Sequence, residues 1–211
     1  MAKVSLLIIV AVTTLSHSWN DPLRCVRTGG TEPSLTSSPI SNRDADWQLY
    51  FFKALRERTK QVKLPSLRRA SLRKNDVEMR FWYDARPFAI NGFVIRRSKD
   101  RWSAIGIRQV NEEWPSAVRQ DNLGQPKSGW DSVWKQLIAL GLLTLPDGTA
   151  TKCKTGVLDG GAFVVEAKTR RTYRTYRYSS PQLADCDEAK RVVSIEAVIA
   201  REFRLRPSKR S

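Results

Sequence analysis

The sequence predicts an α+β domain with an antiparallel sheet of about five strands and three helices packed mainly on one face. Stretches with the composition of strands occur in two groups, at 78–83, 88–97 and 102–110 and again at 162–167 and 172–178. Stretches with the apolar spacing of amphipathic helices lie around these groups. Because single strands do not alternate with helices, a parallel doubly wound sheet is disfavoured.

Three helices are predicted from apolar residues that recur every three or four positions. The first begins near Asp46, with an apolar face that runs from Trp47 onward. The second follows Ser128, which begins a capping-box pattern. The third follows Asp185, which we expect to be its N-cap. The polar, proline-containing stretch 112–127 is predicted to be a loop.

The N-terminus has the pattern of a secretory signal peptide. Lys3 is followed by an apolar run at 4–15, and small residues stand at positions 16 and 18. The run is short of the roughly 20 residues that a transmembrane helix needs, and an uncleaved anchor is the alternative. We expect a periplasmic or secreted protein with no transmembrane span after cleavage. Its parts are a signal peptide at 1–18, a flexible leader at 19–43, one α+β domain at 44–206 and a basic tail at 207–211.

Histidine chemistry is excluded if the signal is removed, because His17 is the only histidine. A chain without imidazole has no Ser-His-Asp or Cys-His catalytic group and no histidine ligand for zinc or iron. No P-loop, dinucleotide fingerprint or nucleophile elbow is present in the sequence. We therefore expect no cofactor and no metal, and we assign no catalytic residue.

The charge balance favours an anionic partner. The 37 lysines and arginines outnumber the 21 acidic residues, which gives a formal net charge of +16. A field of this size attracts nucleic acid, anionic lipid or acidic polysaccharide. The alternative is a generally basic surface with no dedicated partner, since charge alone identifies no ligand.

Two predicted hairpins concentrate arginine, and the second also concentrates tyrosine. Basic groups beside aromatic rings suit a polyanion, because the cations attract phosphate or sulfate and the rings stack. An ordinary exposed strand is the alternative, since tyrosine and threonine favour strands. We expect both turns to gather their charge on one side of the sheet. The candidate binding residues are Arg96, Arg97, Lys99 and Arg101 in the first hairpin and Arg170, Arg171, Tyr173, Arg174, Tyr176 and Arg177 in the second.

Two of the three cysteines flank the second hairpin. A hairpin brings its ends together, so Cys153 and Cys186 are predicted to form a disulfide that closes a loop of about 30 residues. Cys25 remains either free or paired with another molecule. A catalytic cysteine is the alternative, but it lacks a histidine to activate it.

Two further functions stay open. Paired carboxylates can perform acid–base or glycosidic chemistry, so a periplasmic hydrolase that uses Asp159 and Glu166 is an alternative to binding. Glu166 lies among arginines, however, and also suits a salt bridge. The third function is an inhibitor or immunity-type protein that binds another exported protein through an exposed apolar patch.

Several short runs in the C-terminal 130 or so residues carry a resemblance. They are Ser128-Gly-Trp-Asp, Leu143-Thr-Leu-Pro-Asp, Val157-Leu-Asp-Gly with Phe163-Val-Val-Glu, and Tyr173-Arg-Thr-Tyr-Arg-Tyr before Pro181. The pattern resembles that of small exported bacterial proteins of unknown function. The resemblance implies bacterial export and a single α+β domain, and it implies no activity.

Overall fold

The computed structural model describes residues 42–85, 89–110, 117–153 and 161–205, without the side chains of 42–46 and 84–90. The expected signal peptide, Cys25, Asp159 and the basic tail lie outside these residues, as does nearly all of the expected leader. The helices are α1 (Asn42–Gln61), α2 (Trp130–Ala139) and α3 (Asp187–Glu202). The strands are β1 (Val77–Ala85), β2 (Ala89–Ser98), β3 (Arg101–Gln109), β4 (Val118–Asn122), β5 (Ala162–Thr169) and β6 (Tyr173–Ser179). Short 3-10 helices occur at Leu67–Arg69, Gly148–Ala150 and Pro181–Leu183.

The predicted α+β class and antiparallel sheet are confirmed. The sheet has six strands in the order β4-β3-β2-β1-β5-β6, and each neighbouring pair is antiparallel. The additional strand is β4, which lies inside the stretch 112–127 that was predicted to be a loop. Its sequence is VRQDN, which lacks the apolar alternation of a strand because an edge strand leaves most of its side chains in water.

Both faces of the sheet are covered by helices. Alternate side chains of the strands point to opposite faces, as the pleat requires. Met79, Phe81 and Ile95 belong to the larger core, which α2 and α3 cover. Trp82 and Val94 belong to a smaller core on the other face, which α1 covers. Two of the three helices therefore share one face and the third packs alone. None of the described helices has the length and apolarity to cross a bilayer.

All three helix starts differ from those predicted. The first helix begins at Asn42, four residues before Asp46. The N-cap of α2 is Gly129, with φ 80°, instead of Ser128. The Ser128 backbone donates to Glu202 Oε2 at 2.8 Å, so this segment is tied to the end of α3. The N-cap of α3 is Cys186 instead of Asp185, and its sulfur accepts a hydrogen bond from the Ala189 backbone at 3.4 Å.

The two edges of the sheet are occupied by different groups. On β4, the carboxylate of Asp121 forms ion pairs with Arg108 Nη2 at 2.6 Å and with Arg119 Nε at 2.8 Å. On β6, the backbone N–H of Arg177 donates to Asp147 Oδ2 at 3.0 Å, so the segment before the Gly148–Ala150 helix lies along that strand.

Gly92 in β2 is a point of close packing against β1. A Cβ at this position would lie 2.3 Å from Trp82 Cε3 and 2.6 Å from the Phe81 carbonyl oxygen. The indole of Trp82 therefore occupies the space that a side chain would need, and it is completely buried there.

We expect Gly92→Ala to lower the free energy of unfolding by about 1–3 kcal/mol, since neither the backbone oxygen nor the packed indole can move freely. Urea unfolding followed by tryptophan fluorescence measures the change. Gly106→Ala is the control, because its Cβ would lie 3.3 Å from Leu123 Cδ2, a rotatable methyl group, and should cost less than about 1 kcal/mol. Equal losses in the two variants would contradict this interpretation.

The predicted disulfide between Cys153 and Cys186 is confirmed. The two Cα atoms lie 5.4 Å apart, and the bond closes a loop of 33 residues that contains β5 and β6. Each cysteine is half-buried and packs against the larger core. The bond thus fastens the start of α3 to the segment that leads into the second hairpin.

Removing this bond should lower the free energy of unfolding by roughly 3–4 kcal/mol, because the unfolded chain gains the freedom of the opened loop. The variant Cys153→Ser/Cys186→Ser is compared with the wild type in urea, each with and without reductant. Reductant should bring the wild type to the stability of the variant and leave the variant unchanged. A variant as stable as the oxidised wild type would refute the expectation.

Candidate functional site

The β2–β3 turn carries two exposed cations. Lys99 and Asp100 have φ values of 51° and 60°, which is the left-handed geometry of a tight two-residue hairpin. The carboxylate of Asp76 holds this turn, since Oδ1 accepts from the Lys99 backbone at 3.1 Å and Oδ2 from Ser98 Oγ at 3.2 Å. The side chains of Lys99 and Arg101 are thereby left in water.

The β5–β6 turn carries two further exposed cations, Arg170 and Arg171. The backbone N–H of Thr169 donates to the Thr172 carbonyl at 2.9 Å. The Thr169 hydroxyl accepts from the backbones of Arg171 and Thr172 at 3.3 and 3.2 Å. These bonds satisfy the turn internally, so the side chains of Arg170 and Arg171 point into solvent.

The two turns lie at the same end of the sheet. Val77, the first residue of β1, pairs with Arg97 at the end of β2 and with Thr169 at the end of β5. The first turn joins β2 to β3 and the second joins β5 to β6, so their midpoints are three strand spacings apart. At 4.7–4.9 Å per spacing, the distance is about 14 Å.

A third basic segment reaches the same end. The Leu67 side chain is fully buried, and Lys168 Nζ donates to the Arg68 carbonyl at 2.8 Å, which places the Leu67–Arg69 helix against β5. Further along, Asn75 accepts from the Arg97 guanidinium at 3.0 and 3.1 Å. We call this region the basic end; it comprises Arg68, Arg69, Arg73, Lys74, Arg97, Lys99, Arg101, Arg170 and Arg171.

Acidic groups cancel only part of this charge, since the exposed Asp100 lies between Lys99 and Arg101 in the first turn. In the part of the chain that the structure describes, no carboxylate forms an ion pair with Lys99, Arg101, Arg170 or Arg171. The carboxylate of Asp76 is directed at the turn backbone. Burial works to raise its pKa, but the hydrogen bonds from Lys99 and Ser98 outweigh burial and hold the pKa below its usual value. Asp76 therefore stays ionised and bound to the turn at neutral pH.

Two predicted binding residues of the first hairpin have structural partners. Arg96 Nε donates to Glu78 Oε2 at 2.7 Å, where it neutralises a buried carboxylate. The guanidinium of Arg97 binds the Asn75 carbonyl and lies 5.6 Å from the centre of the Trp102 ring. Arg96 is thus paired with a buried carboxylate, although 43% of its side chain is exposed. Arg97 lies at the basic end, where some of its N–H donors are already hydrogen-bonded.

The tyrosines and arginines predicted along β6 hold the fold together. Arg174 donates through Nη2 to the Leu145 carbonyl at 2.6 Å and through Nη1 to Leu143. Tyr176 is 1% exposed and its hydroxyl donates to the Leu142 carbonyl at 3.1 Å. Tyr176 therefore has almost no surface available to a ligand, and the half-buried Arg174 has its guanidinium bound to two backbone carbonyls. The Arg177 guanidinium lies 5.3 Å from the centre of the Trp47 ring on α1.

Sequence reasoning did not assign the segment 66–75 to the site. Its arginines and lysines belong to the basic run at 56–74, which was the available signal. The sequence does not show the register in which β1 pairs with β2 and β5. That register determines how close segment 66–75 lies to the two turns.

Glu166 lies in a buried polar cluster beneath the Leu67–Arg69 helix. Its Oε2 accepts from Trp82 Nε1 and its Oε1 from the Tyr173 hydroxyl, both at 2.9 Å. Arg80, its neighbour on β1, binds Glu78 Oε1 at 2.8 Å. Burial raises the pKa of Glu166, although Arg80 and the two hydrogen bonds oppose the shift. Burial beside Glu166 also raises the pKa of Tyr173, so its hydroxyl keeps its proton and donates.

Two other features of the described residues were candidates for a binding site, a cavity and a group with metal-ligand spacing. An open cavity of about 220 Å³ lies beside the disulfide, lined in part by Thr149, Arg177 and Tyr178. Among the described residues, one group has the spacing of metal ligands, namely Cys153, Cys186 and Glu188. Both of its sulfurs are bonded to each other, so they supply no thiolate for a metal ion.

The raised pKa of Glu166 predicts a pH-dependent contribution to stability. The folded protein holds this proton more tightly than the unfolded chain does. The contribution is therefore greatest below the unfolded pKa of about 4.3 and is lost as pH rises toward the folded pKa. Glu166→Gln removes this dependence and can keep hydrogen bonds to Trp82 and Tyr173.

Urea unfolding of both proteins between pH 4 and pH 8 is the measurement. The variant should become more stable relative to the wild type as pH rises, and the difference should then level off. Subtracting the two curves cancels the contributions of the other carboxylates, which are common to both. A difference that is flat or of opposite sign would show that burial does not dominate at Glu166.

Comparison with known proteins supplies no family for this chain. No protein-family model matches it, and no curated protein matches it either. Any function must therefore be inferred from its own geometry and charge.

Proposed function

We propose that the protein is an exported basic binding module that engages an anionic polymer through the basic end of its sheet. The observation that carries this proposal is that the two arginine-bearing turns lie at the same end of the sheet, beside the start of β1.

The electrostatics of the basic end support binding of a polymer in preference to a single ion. The exposed cations come from three separate segments that reach the same end of the sheet. Such an array attracts a chain of negative charges and releases the counterions that accompany it. Arginine predominates, and its planar fork matches the oxyanions of sulfate, phosphate and carboxylate groups.

Export is supported by the disulfide. Bonds of this kind persist in oxidising compartments and are rare in the cytosol of most organisms. Together with the signal-like N-terminus, this favours a periplasmic or secreted protein. The partner is then an anionic polymer met outside the cytoplasm.

The hydrolase alternative finds less support. Glu166 is 3% exposed and both of its oxygens accept hydrogen bonds from neighbouring side chains, so it has no open face toward a substrate. Its proposed partner, Asp159, lies outside the described residues. Binding of a polyanion requires only the cations of the two turns, which are exposed to solvent, whereas the hydrolase requires the buried Glu166.

A protein partner, as in the inhibitor or immunity-type alternative, is the second candidate. It is favoured by Leu49 and Tyr50, which are adjacent on α1 and 71% and 77% exposed. Two side chains supply only a small part of the roughly 800 Å² that each partner contributes to a stable interface. The basic end is the larger feature, and binding of an anionic polymer remains the proposal.

The test is the salt dependence of heparin binding. Removing four cations with Lys99→Ala, Arg101→Ala, Arg170→Ala and Arg171→Ala should weaken affinity at low salt by at least about tenfold. It should also reduce the slope of log affinity against log salt by roughly three, since each lost contact removes about 0.7–0.9. Titration calorimetry at several salt concentrations measures both quantities.

The control removes four exposed cations from other parts of the chain, with Lys53→Ala, Lys135→Ala, Lys152→Ala and Arg191→Ala. The net charge of this variant equals that of the test variant. If both lose the same affinity and slope, binding depends on net charge and the basic end is not the site.

A further inference from the structure

We propose that the two turns are the two halves of one bivalent site, bridged by a single sulfated polysaccharide chain that is recognised by charge without ring stacking. This inference rests on the proposed function and adds the class of ligand and the way it is held. It concerns the pair Lys99 and Arg101 in one turn and the pair Arg170 and Arg171 in the other.

The first argument is the fixed spacing of the turns. Both hairpins pair with β1 through continuous ladders, so the separation of about 14 Å is set by the sheet and not by flexible loops. A rigid pair of weak sites binds a long ligand far better than either alone, because the second contact is intramolecular. A fragment shorter than the gap engages one turn only.

The second argument is that the rings near this end are already engaged. Trp102 stacks on Trp130 with centroids 5.6 Å apart and planes 9° apart, and the Arg97 guanidinium packs against it. Tyr173 is bound to Glu166 through its hydroxyl and has Lys168 Nζ 5.7 Å from its ring centre.

The consequence of engaged rings is a preference among polyanions. Single-stranded nucleic acid owes much of its affinity to stacking of bases on free aromatic faces. A sulfated polysaccharide binds mainly through its charged groups and needs no aromatic ring. Arg101, Arg170 and Arg171 supply the cations for these groups. Such polymers also belong to the extracellular space, where a disulfide persists.

The experiment titrates the intact protein with size-fractionated heparin oligosaccharides of increasing length. Affinity should rise steeply, by at least about tenfold, once the oligosaccharide exceeds about 14 Å, and change little with further length. Lys99→Ala/Arg101→Ala and Arg170→Ala/Arg171→Ala should each remove the rise, leaving long and short fragments with similar affinity. Lys135→Ala/Arg191→Ala, which also removes two exposed cations, should keep it.

The alternatives give different results. A smooth increase with length, equal in all three variants, overturns the bridging of two turns and leaves general binding at the basic end intact. Tighter binding of single-stranded DNA than of an abasic oligonucleotide of the same length overturns recognition by charge alone. Failure to bind heparin of any length overturns the proposed function together with this inference. Thermal unfolding of each variant confirms that it folds.

Discussion

The pairing of β1 with both β2 and β5 determines where the charge of this protein lies. An antiparallel neighbour on each side brings the ends of two hairpins level with the start of one strand, at Val77. A shift of the register by one residue would also turn every side chain of β1 to the opposite face, so the apolar faces hold the pairing in place. Met79 and Trp82, both fully buried on opposite faces, fix the register from both sides.

The arginines divide into two groups that do different work. Arg80 and Arg96 neutralise Glu78 within the sheet, and Arg174 satisfies the carbonyl of Leu145. A buried charge is expensive unless it is paired and hydrogen-bonded, and the buried members here are Glu78 and Arg80, so these contacts tie the arginines to the fold. The cations of the two turns are exposed and do not neutralise a buried group of the described residues. The +16 net charge therefore overstates the charge that is available to a partner.

Much of the fold was predictable from local patterns. Five of the six strands and all three helices follow from periodicity, and the disulfide follows from the position of two cysteines around a hairpin. β4 was missed because its edge position leaves polar residues on a strand. The start of α3 at Cys186 was missed because a cysteine sulfur is an uncommon cap.

The candidate site was only partly predictable, since composition identifies cations but not their surroundings. Tyr176 and Arg101 look equally suitable in sequence, yet one is in the core and the other in water. Which of them faces a ligand depends on strand alternation relative to the helices, and that is a property of the whole sheet.

The two obstructed edges of the sheet bear on how the protein behaves at high concentration. Unpaired strand edges are templates on which further chains add, and they start fibrous aggregation. Here the Asp121 ion pairs place charge along β4, and Asp147 occupies an outward-facing N–H of β6. These contacts make both edges of the sheet less suitable for the addition of a further strand. At high concentration, copies of the protein can therefore come close together with less tendency to join into a common sheet.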